Sequence, residues 1–308
     1  LVKIAVELEQ AVAQRAARGA AAGRPVGRVL ARGEGWSVAD LLCTSGPRDR
    51  PFEEQHSQVS IAVVIAGSFQ YRRAGGSRTG ELMTPGSVLL GNPGQNFECG
   101  HEHGTGDRCL SFSYAPDCFD AIAAPAGAGR GGPAFRMLRL PHVRALSPLI
   151  AQAYARLARD SERMVDPTPG MWWEEFSIRL AASALRLASG AEPNGREAPP
   201  STMARVTRAA RVIALSPESD LTVRRLARAA GLSPYHFLRI FEQLTGATPH
   251  QYLLRARLRE AAMRLATERA NVLDIALDCG FGDVSNFNRA FRREFGMGPR
   301  GFRQQGLQ

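Results

Sequence analysis

At 308 residues, with 44% of them apolar and a net charge of +10, the chain is long enough to bury two cores, since a single core rarely grows past about 250–300 residues. No apolar run approaches the roughly 18 residues that cross a bilayer, and no short apolar segment ends in a small-residue cleavage site, which speaks against a membrane protein or a secreted precursor. Five cysteines, few and odd in number, speak against an extracellular disulfide framework and for a reducing cytoplasm.

In chain order, VKIAVELEQAVAQRAARGAAAG is an alanine-rich helix candidate. Over residues 26–114, short runs such as VSIAVVIAG, GSVLLGN and CLSFSY are punctuated by Gly and Pro, the rhythm of a β-sandwich or barrel. AIAAPAGAGRGGPAF, residues 121–135, is of low complexity and reads as a mobile loop. Two helical stripes follow: Leu146, Leu149, Ile150, Ala153, Tyr154 and Leu157, then Trp173, Phe176, Leu180, Ala184 and Leu187. Joined by MVDPTPG, they predict an antiparallel pair that either lies on its own domain or carries a dimer interface. GAEPNGREAPPS, residues 190–201, has no period and reads as a linker.

The β-rich half contains CGHEHGTGDRC, with two cysteines and two histidines around a glycine-rich turn. If the strand after PGQNF stays extended, Cys99, His101 and His103 alternate onto one face. A three-residue GTG loop then makes a hairpin with Cys109 opposite His101, whereas a loop one residue shorter or longer turns Cys109 away. Leu110, Phe112 and Tyr114 alternate as an apolar face, expected inward, with Cys109 outward. Two thiols and two imidazoles suit zinc or another transition metal, although the spacing matches no standard zinc module. The expectation is a polar hairpin; metal or redox sensing by Cys99, His101, His103 and Cys109 is the alternative.

From Ser201 to the end there are 17 arginines, no lysine and 9 acids. A basic block confined to one part of a chain is the footprint of a polyanionic partner, because neutralising phosphates releases condensed counterions. The same block repeats itself. LARAAGLSPYHFLRIFEQLTGATPHQY, from Leu226, matches IALDCGFGDVSNFNRAFRREFGMGPRGF, from Ile275, after a one-residue insertion. Each copy reads as helix, glycine turn, second helix and glycine stop, the helix-turn-helix pattern. Ala227 and Ala276 are small where two helices cross, Gly231 and Gly280 stand where positive φ is needed, and Ser233 and Asp283 are N-cap types. Phe237 and Phe241, like Phe287 and Phe291, are four apart and predicted buried, while Arg239 and Arg289 project from another side, as a helix reading the major groove requires. QYLLRARLREAAMRLATE, residues 251–268, predicts one long helix between the copies.

These last hundred residues resemble the DNA-binding domain of the AraC/XylS family of bacterial transcription regulators, through LARAAGLSPYHFLRIFEQLTGATPHQYL and GFGDVSNFNRAFRREFGMGPRGFR. The resemblance implies two recognition helices in adjacent major-groove segments of double-stranded DNA. It implies base contacts from Tyr235, Leu238 and Arg239 in the first helix and from Val284, Ser285, Asn288 and Arg289 in the second. His236, Arg292 and Arg293 are implied as phosphate contacts. The chain departs from the family in the apolar Val284, in Asn288 where a small hydroxyl residue is usual, and in GMGPRGF, which lacks a threonine before the proline.

The N-terminal half resembles, more loosely and through GELMTPGSVLLGNPGQNF, the cupin-like sensor domain of that family, which implies effector binding and dimerisation. The resulting expectation is an α+β chain: a cupin-like β-barrel with a helix pair over residues 1–190, a linker over 191–200 and an all-α tandem helix-turn-helix domain over 201–308. The expected function is that of a cytoplasmic, homodimeric transcription regulator, an activator by family precedent, with a small-molecule or metal effector and RNA polymerase as a further partner. The rival reading is a metal-dependent cupin enzyme fused to a DNA-binding domain, with His101, His103, Glu98 and His56 as ligands; Phe97 stands where such a cupin carries its later histidine.

Overall fold

The β-rich run folds into two sheets in the computed structural model, which describes residues 2–18, 23, 25–75, 80–104, 106–125, 134–162, 169–190 and 199–306. One sheet holds six strands in the order β1 (Val26–Gly33), β2 (Trp36–Cys43), β9 (Asp107–Tyr114), β4 (Val59–Gly67), β7 (Val88–Gly91) and β10 (Arg139–Leu140). The other holds β3 (Phe52–Gln55), β8 (Asn96–Gly100), β5 (Phe69–Arg73) and β6 (Glu81–Met83). Paired strands run antiparallel.

Strand β4 shows why the run VSIAVVIAG is apolar throughout instead of alternating. Ile61, Val63 and Ile65 face a helical layer, while Ala62 and Val64 face the second sheet, so both sides are buried. The register of β4 on β9 slips between Val64 and Ala66, and the Tyr154 hydroxyl reaches the carbonyl of Ile65 at 2.8 Å. A bulge frees backbone groups, and here a tyrosine from the helical layer satisfies one of them.

The sheets face each other but share no ladder among the described residues, so the expected barrel is a two-sheet sandwich. The chain changes sheet at Gly67, where a φ of 74° turns β4 into β5. It changes back through CGHEHGTGDRC. Strands β8 and β9 lie in different sheets and do not pair, so the stretch is a crossover and not the hairpin expected from its glycines. Strand geometry ends at Gly100 and residues 101–104 turn, so the alternation of Cys99, His101 and His103 onto one face does not hold. The outward placement of Cys109 is also corrected. Leu110, Phe112 and Tyr114 face the helices, and Cys109 is buried between the sheets.

Helix α1 (Val2–Ala17) packs Ile4 and Leu8 onto the six-stranded sheet, and α2 (Pro116–Ala123) buries Phe119 and Ile122. Helices α3 (Ser147–Glu162) and α4 (Pro169–Ser189) bury the two predicted stripes in the same core, with Trp173 and Phe176 packed on Phe112. The MVDPTPG connection up to Thr168, the centre of the low-complexity segment and residues 191–198 of the expected linker lie outside the described residues.

Beyond them come seven helices: α5 (Pro200–Leu215), α6 (Val223–Ala230), α7 (Pro234–Thr245), α8 (Pro249–Thr267), α9 (Val272–Asp278), α10 (Val284–Phe295) and α11 (Pro299–Gly306). Phe237, Phe241 and Tyr252 centre one core, and Phe287, Phe291, Phe295 and Phe302 centre another. Helix α8 lines both, and Met263 on it also enters the core of the sandwich. Leu82 of β6 reaches the first helical core and Ala151 of α3 the second. Polar contacts follow the same seam: Arg255 donates to the carbonyl of His142 at 2.6 Å, Arg259 lies 2.9 Å from the His142 ring, and Ser147 donates to Glu294. Burial, together with the positive charge of Arg259 and Arg255, holds His142 neutral, with its pKa well below the usual imidazole range.

Candidate nucleic-acid interface and a buried polar cluster

The two helix-turn-helix copies are built by the same local chemistry. In the first, the Thr222 side chain caps α6 by accepting from the Arg225 N–H, and Gly231 ends the helix at φ 64°. The Leu232 N–H then reaches the Ala227 carbonyl while the Gly231 N–H reaches Arg228. In the second, Asn271 caps α9, Gly280 stands at φ 83°, and the Phe281 and Gly280 N–H groups reach Ala276 and Leu277 in the same pattern. Ser233 and Asp283 cap the recognition helices α7 and α10, as the sequence predicts. Each lies four residues before its buried phenylalanine, so the inserted residue falls in the turn, at Phe281–Gly282 against Leu232. Asp283 accepts from the Ser285 and Asn286 N–H groups, and those bonds hold its pKa below the usual carboxylate value.

Burying the phenylalanines turns the opposite face outward. Phe237, Phe241, Phe287 and Phe291 are all fully buried, whereas Tyr235 is 80% exposed and Leu238 39%. His236, Arg239, Ser285, Asn288, Arg289, Arg292 and Arg293 are exposed as well, and Val284 is half-buried. His236 and Arg239 lie one turn apart, with Nε2 and a guanidinium nitrogen at 3.4 Å. Arg257 of α8 ties the copies together. It donates to the carbonyls of Pro217 at 2.7 Å and Ser219 at 2.9 Å before the first copy, and to that of Gly280 in the second at 2.8 Å.

Sequence reasoning missed Arg224 and Arg228, which line a notch beside Gly231 and Pro234 where α6 meets α7. The positioning helix of such a motif crosses the phosphate backbone, and exposed arginines on it are the signal that finds them. It also missed α5. Arg205 from that helix donates to the carbonyl of Gly231 and Arg208 to that of Ala229 at 3.4 Å, bracing the first turn from behind.

In the sandwich, the four residues grouped by sequence are not held together as one set. Cys43 of β2 and Asp107 of β9 are cross-strand partners, and Cys109 lies two residues further along the same face. His101 comes from the end of the opposite sheet, its Nε2 2.6 Å from Asp107 Oδ1. The Cys109 thiol donates to Asp107 Oδ2 at 3.2 Å. One ligand-type atom from each of Cys43, His101 and Asp107 lies within 4.8 Å of the others. Burial alone would lower the His101 pKa, but the hydrogen bonds and negative charge of Asp107 and Cys43 outweigh it and raise it to about 9. Burial, with Asp107 next in weight, pushes the Cys99 and Cys109 thiols well up. His103 instead lines a cleft of about 340 Å³ between α1, the turn at residues 101–104 and α5. The set invoked for a cupin enzyme is dispersed too. His56 Nε2 lies 2.6 Å from the Tyr71 hydroxyl and its ring stacks on Phe97, with burial lowering its pKa to about 4, and Glu98 pairs with Arg72.

Comparison with known proteins assigns each half separately. Residues 226–305 match the helix-turn-helix domain family, and residues 44–168 match the AraC-like ligand binding domain family. The chain is 38% identical over 82 residues to the probable transcriptional regulator LumQ of Photobacterium leiognathi, 27% of this chain and 33% of LumQ. It is 35% identical over 92 residues to the probable transcription factor PqrA of Proteus vulgaris, 30% of this chain and 75% of PqrA. It is 48% identical over 66 residues to the HTH-type transcriptional activator RhaS of Escherichia coli, 21% of this chain and 24% of RhaS. The chain therefore spans a third of LumQ and a quarter of RhaS. No helix among the described residues is long and apolar enough to cross a membrane.

Proposed function

The chain belongs to the AraC family of regulators, and from that premise we propose that it is a sequence-specific, double-stranded-DNA-binding transcription regulator that responds to an effector through its N-terminal half. The observation that carries the reading is the pair of helix-turn-helix units capped at corresponding positions. Their apolar faces are buried in separate cores, while Tyr235, Leu238 and Arg239, and Ser285, Asn288 and Arg289, stand outward. Arginine reads guanine bidentately, and hydroxyl and amide side chains read the remaining edges. His236, Arg292 and Arg293 fit the phosphates on either side. Val284, half-buried, is left with contact to a thymine methyl. The metal reading of Cys99, His101, His103 and Cys109 narrows to His101 and the groups around it, Cys43 and Asp107.

The proposal extends to a cytoplasmic homodimer, divided near residues 190–201, that acts on RNA polymerase as an activator; the likeness to RhaS supports that last element. The test is selection from random duplexes by the full chain, followed by titration of the enriched site. We expect an asymmetric site with two contacted segments about 34 Å apart along one face of the DNA. Equal affinity for every duplex would overturn sequence-specific binding.

A further inference from the structure

Between the sheets of the sandwich, four side chains of metal-ligand type converge from three separate segments of the chain. Cys43 comes from β2, Asp107 and Cys109 from β9, and His101 from the turn after β8 in the facing sheet. We propose that Cys43, His101 and Asp107, with Cys109 as the fourth ligand, form a buried zinc site.

Geometry makes the first case. Tetrahedral zinc bonded at about 2.0–2.3 Å sets neighbouring ligand atoms roughly 3.3–3.8 Å apart. The atoms of Cys43, His101 and Asp107 already lie within 4.8 Å of one another, and His101 and Asp107 touch at 2.6 Å. An ion entering here parts the imidazole from the carboxylate by about an ångström and draws the Cys43 sulfur in. Cys109 sits on the other carboxylate oxygen at 3.2 Å, outside the group of three within 4.8 Å, and has to turn its side chain to join as the fourth ligand. Binding releases the two thiol protons and the proton that His101 and Asp107 share, leaving two thiolates, a carboxylate and a neutral imidazole.

The second case is the cost of burying these groups. His101 is 3% exposed and Asp107 7%, so a pair of charge-bearing groups sits inside the sandwich. The surrounding interior is Phe69, Tyr71, Met83, Leu89 and Phe97, where a carboxylate and an imidazole are expensive unless something holds them. The donor set also selects: thiolate and imidazole suit zinc and cobalt and exclude the oxygen-seeking magnesium and calcium. The turn that carries His101 continues into Glu102, His103 and Gly104, which wall the cleft against α5. An ion that moves His101 therefore acts on the surface where the sandwich meets the helical half. The ion site itself does not depend on the DNA reading.

The experiment is a titration of the full chain, reduced and stripped by chelator, with Co²⁺ and then Zn²⁺. One equivalent of Co²⁺ should give the visible bands of a tetrahedral ion and thiolate-to-metal charge transfer in the near ultraviolet, both bleached by Zn²⁺. Cys43→Ser should lose about half of the charge transfer and weaken binding by more than about tenfold, whereas Cys279→Ser, in the helical half, should leave both unchanged. Should Cys43→Ser fail to fold, Cys109→Ser carries the same expectation, and Zn²⁺ should raise the Tm of the unaltered chain in a way that a chelator reverses. No cobalt spectrum, a spectrum without charge transfer, or one untouched by Cys43→Ser and Cys109→Ser would overturn the site.

Discussion

The two helix-turn-helix copies share their caps, their glycine turns and their buried phenylalanines, yet they carry positive charge on opposite helices. In the first copy the positioning helix α6 holds Arg224, Arg225 and Arg228, and the recognition helix α7 holds only Arg239. In the second, α9 holds no arginine but Asp274 and Asp278, with Leu273 and Leu277 exposed beside them, while α10 holds Arg289, Arg292 and Arg293. The difference separates what the motif needs to fold from what it needs to bind. Caps and core residues are local requirements that both copies meet in one way. Phosphate attraction is long-ranged, so arginines on either helix supply it. Under the proposed function the first copy is held by α6 while α7 reads bases, and in the second α10 does both.

The largest effect should come from removing what the copies share. Phe237→Ala and Phe287→Ala each open a cavity in one fully packed core, and each should cost about 3–5 kcal/mol in urea unfolding of the full chain. Equal losses would sharpen the picture of equivalent scaffolds, and a silent variant would break it.

Base reading should come next. Arg239→Ala and Arg289→Ala should each cost about 1–3 kcal/mol on the selected duplex and relax preference at one position, measured by repeating the selection. Equal weakening on all duplexes would remove that residue from the readers. The charge contrast itself is tested by salt. Arg224→Ala with Arg228→Ala, and separately Arg292→Ala with Arg293→Ala, should each lower the slope of log affinity against log salt by about 2, although one pair lies on a positioning helix and the other on a recognition helix.

Acid should act least strongly, and through groups that lie in neither copy. His142, against Arg255 and Arg259 of α8, and His56, on Tyr71, are both neutral in the folded chain, with pKa values lowered from 6.5, that of His56 to about 4. The unfolded chain then binds more protons, so their contribution to stability is full above about pH 6.5 and is lost as pH falls toward 4. By pH 6 His56 should have given up about 1 kcal/mol, and His142→Asn should flatten that part of the urea profile.

How much of this was legible follows from the range of each interaction. The glycine turns, the Ser233 and Asp283 caps, the buried phenylalanines and the long α8 all rest on neighbours within a few residues, and the sequence states them openly. The β-rich run was also legible as such, from Val26 to Tyr114. What failed was pairing. Glycines in CGHEHGTGDRC announce that the chain turns, but they do not say whether the next strand returns beside the last or crosses to the other sheet. The meeting of Cys43 with Asp107 depends on the register of β2 against β9, some sixty residues later, which no local pattern encodes. Helix α5 was hidden because Pro199 and Pro200 read as the end of a linker, although proline is well placed at the first turn of a helix.

Helix α8 is a rod of 19 residues, about 28 Å long, with one helix-turn-helix unit at each end and the sandwich against its side. A rod in that position is a vernier between two scales. Tilting it by about 10° carries the far unit some 5 Å, more than the 3.4 Å step from one base pair to the next. Because α8 lines both helical cores and Arg257 holds both copies, whatever shifts the seam at His142, Arg255 and Arg259 reaches both units through one element.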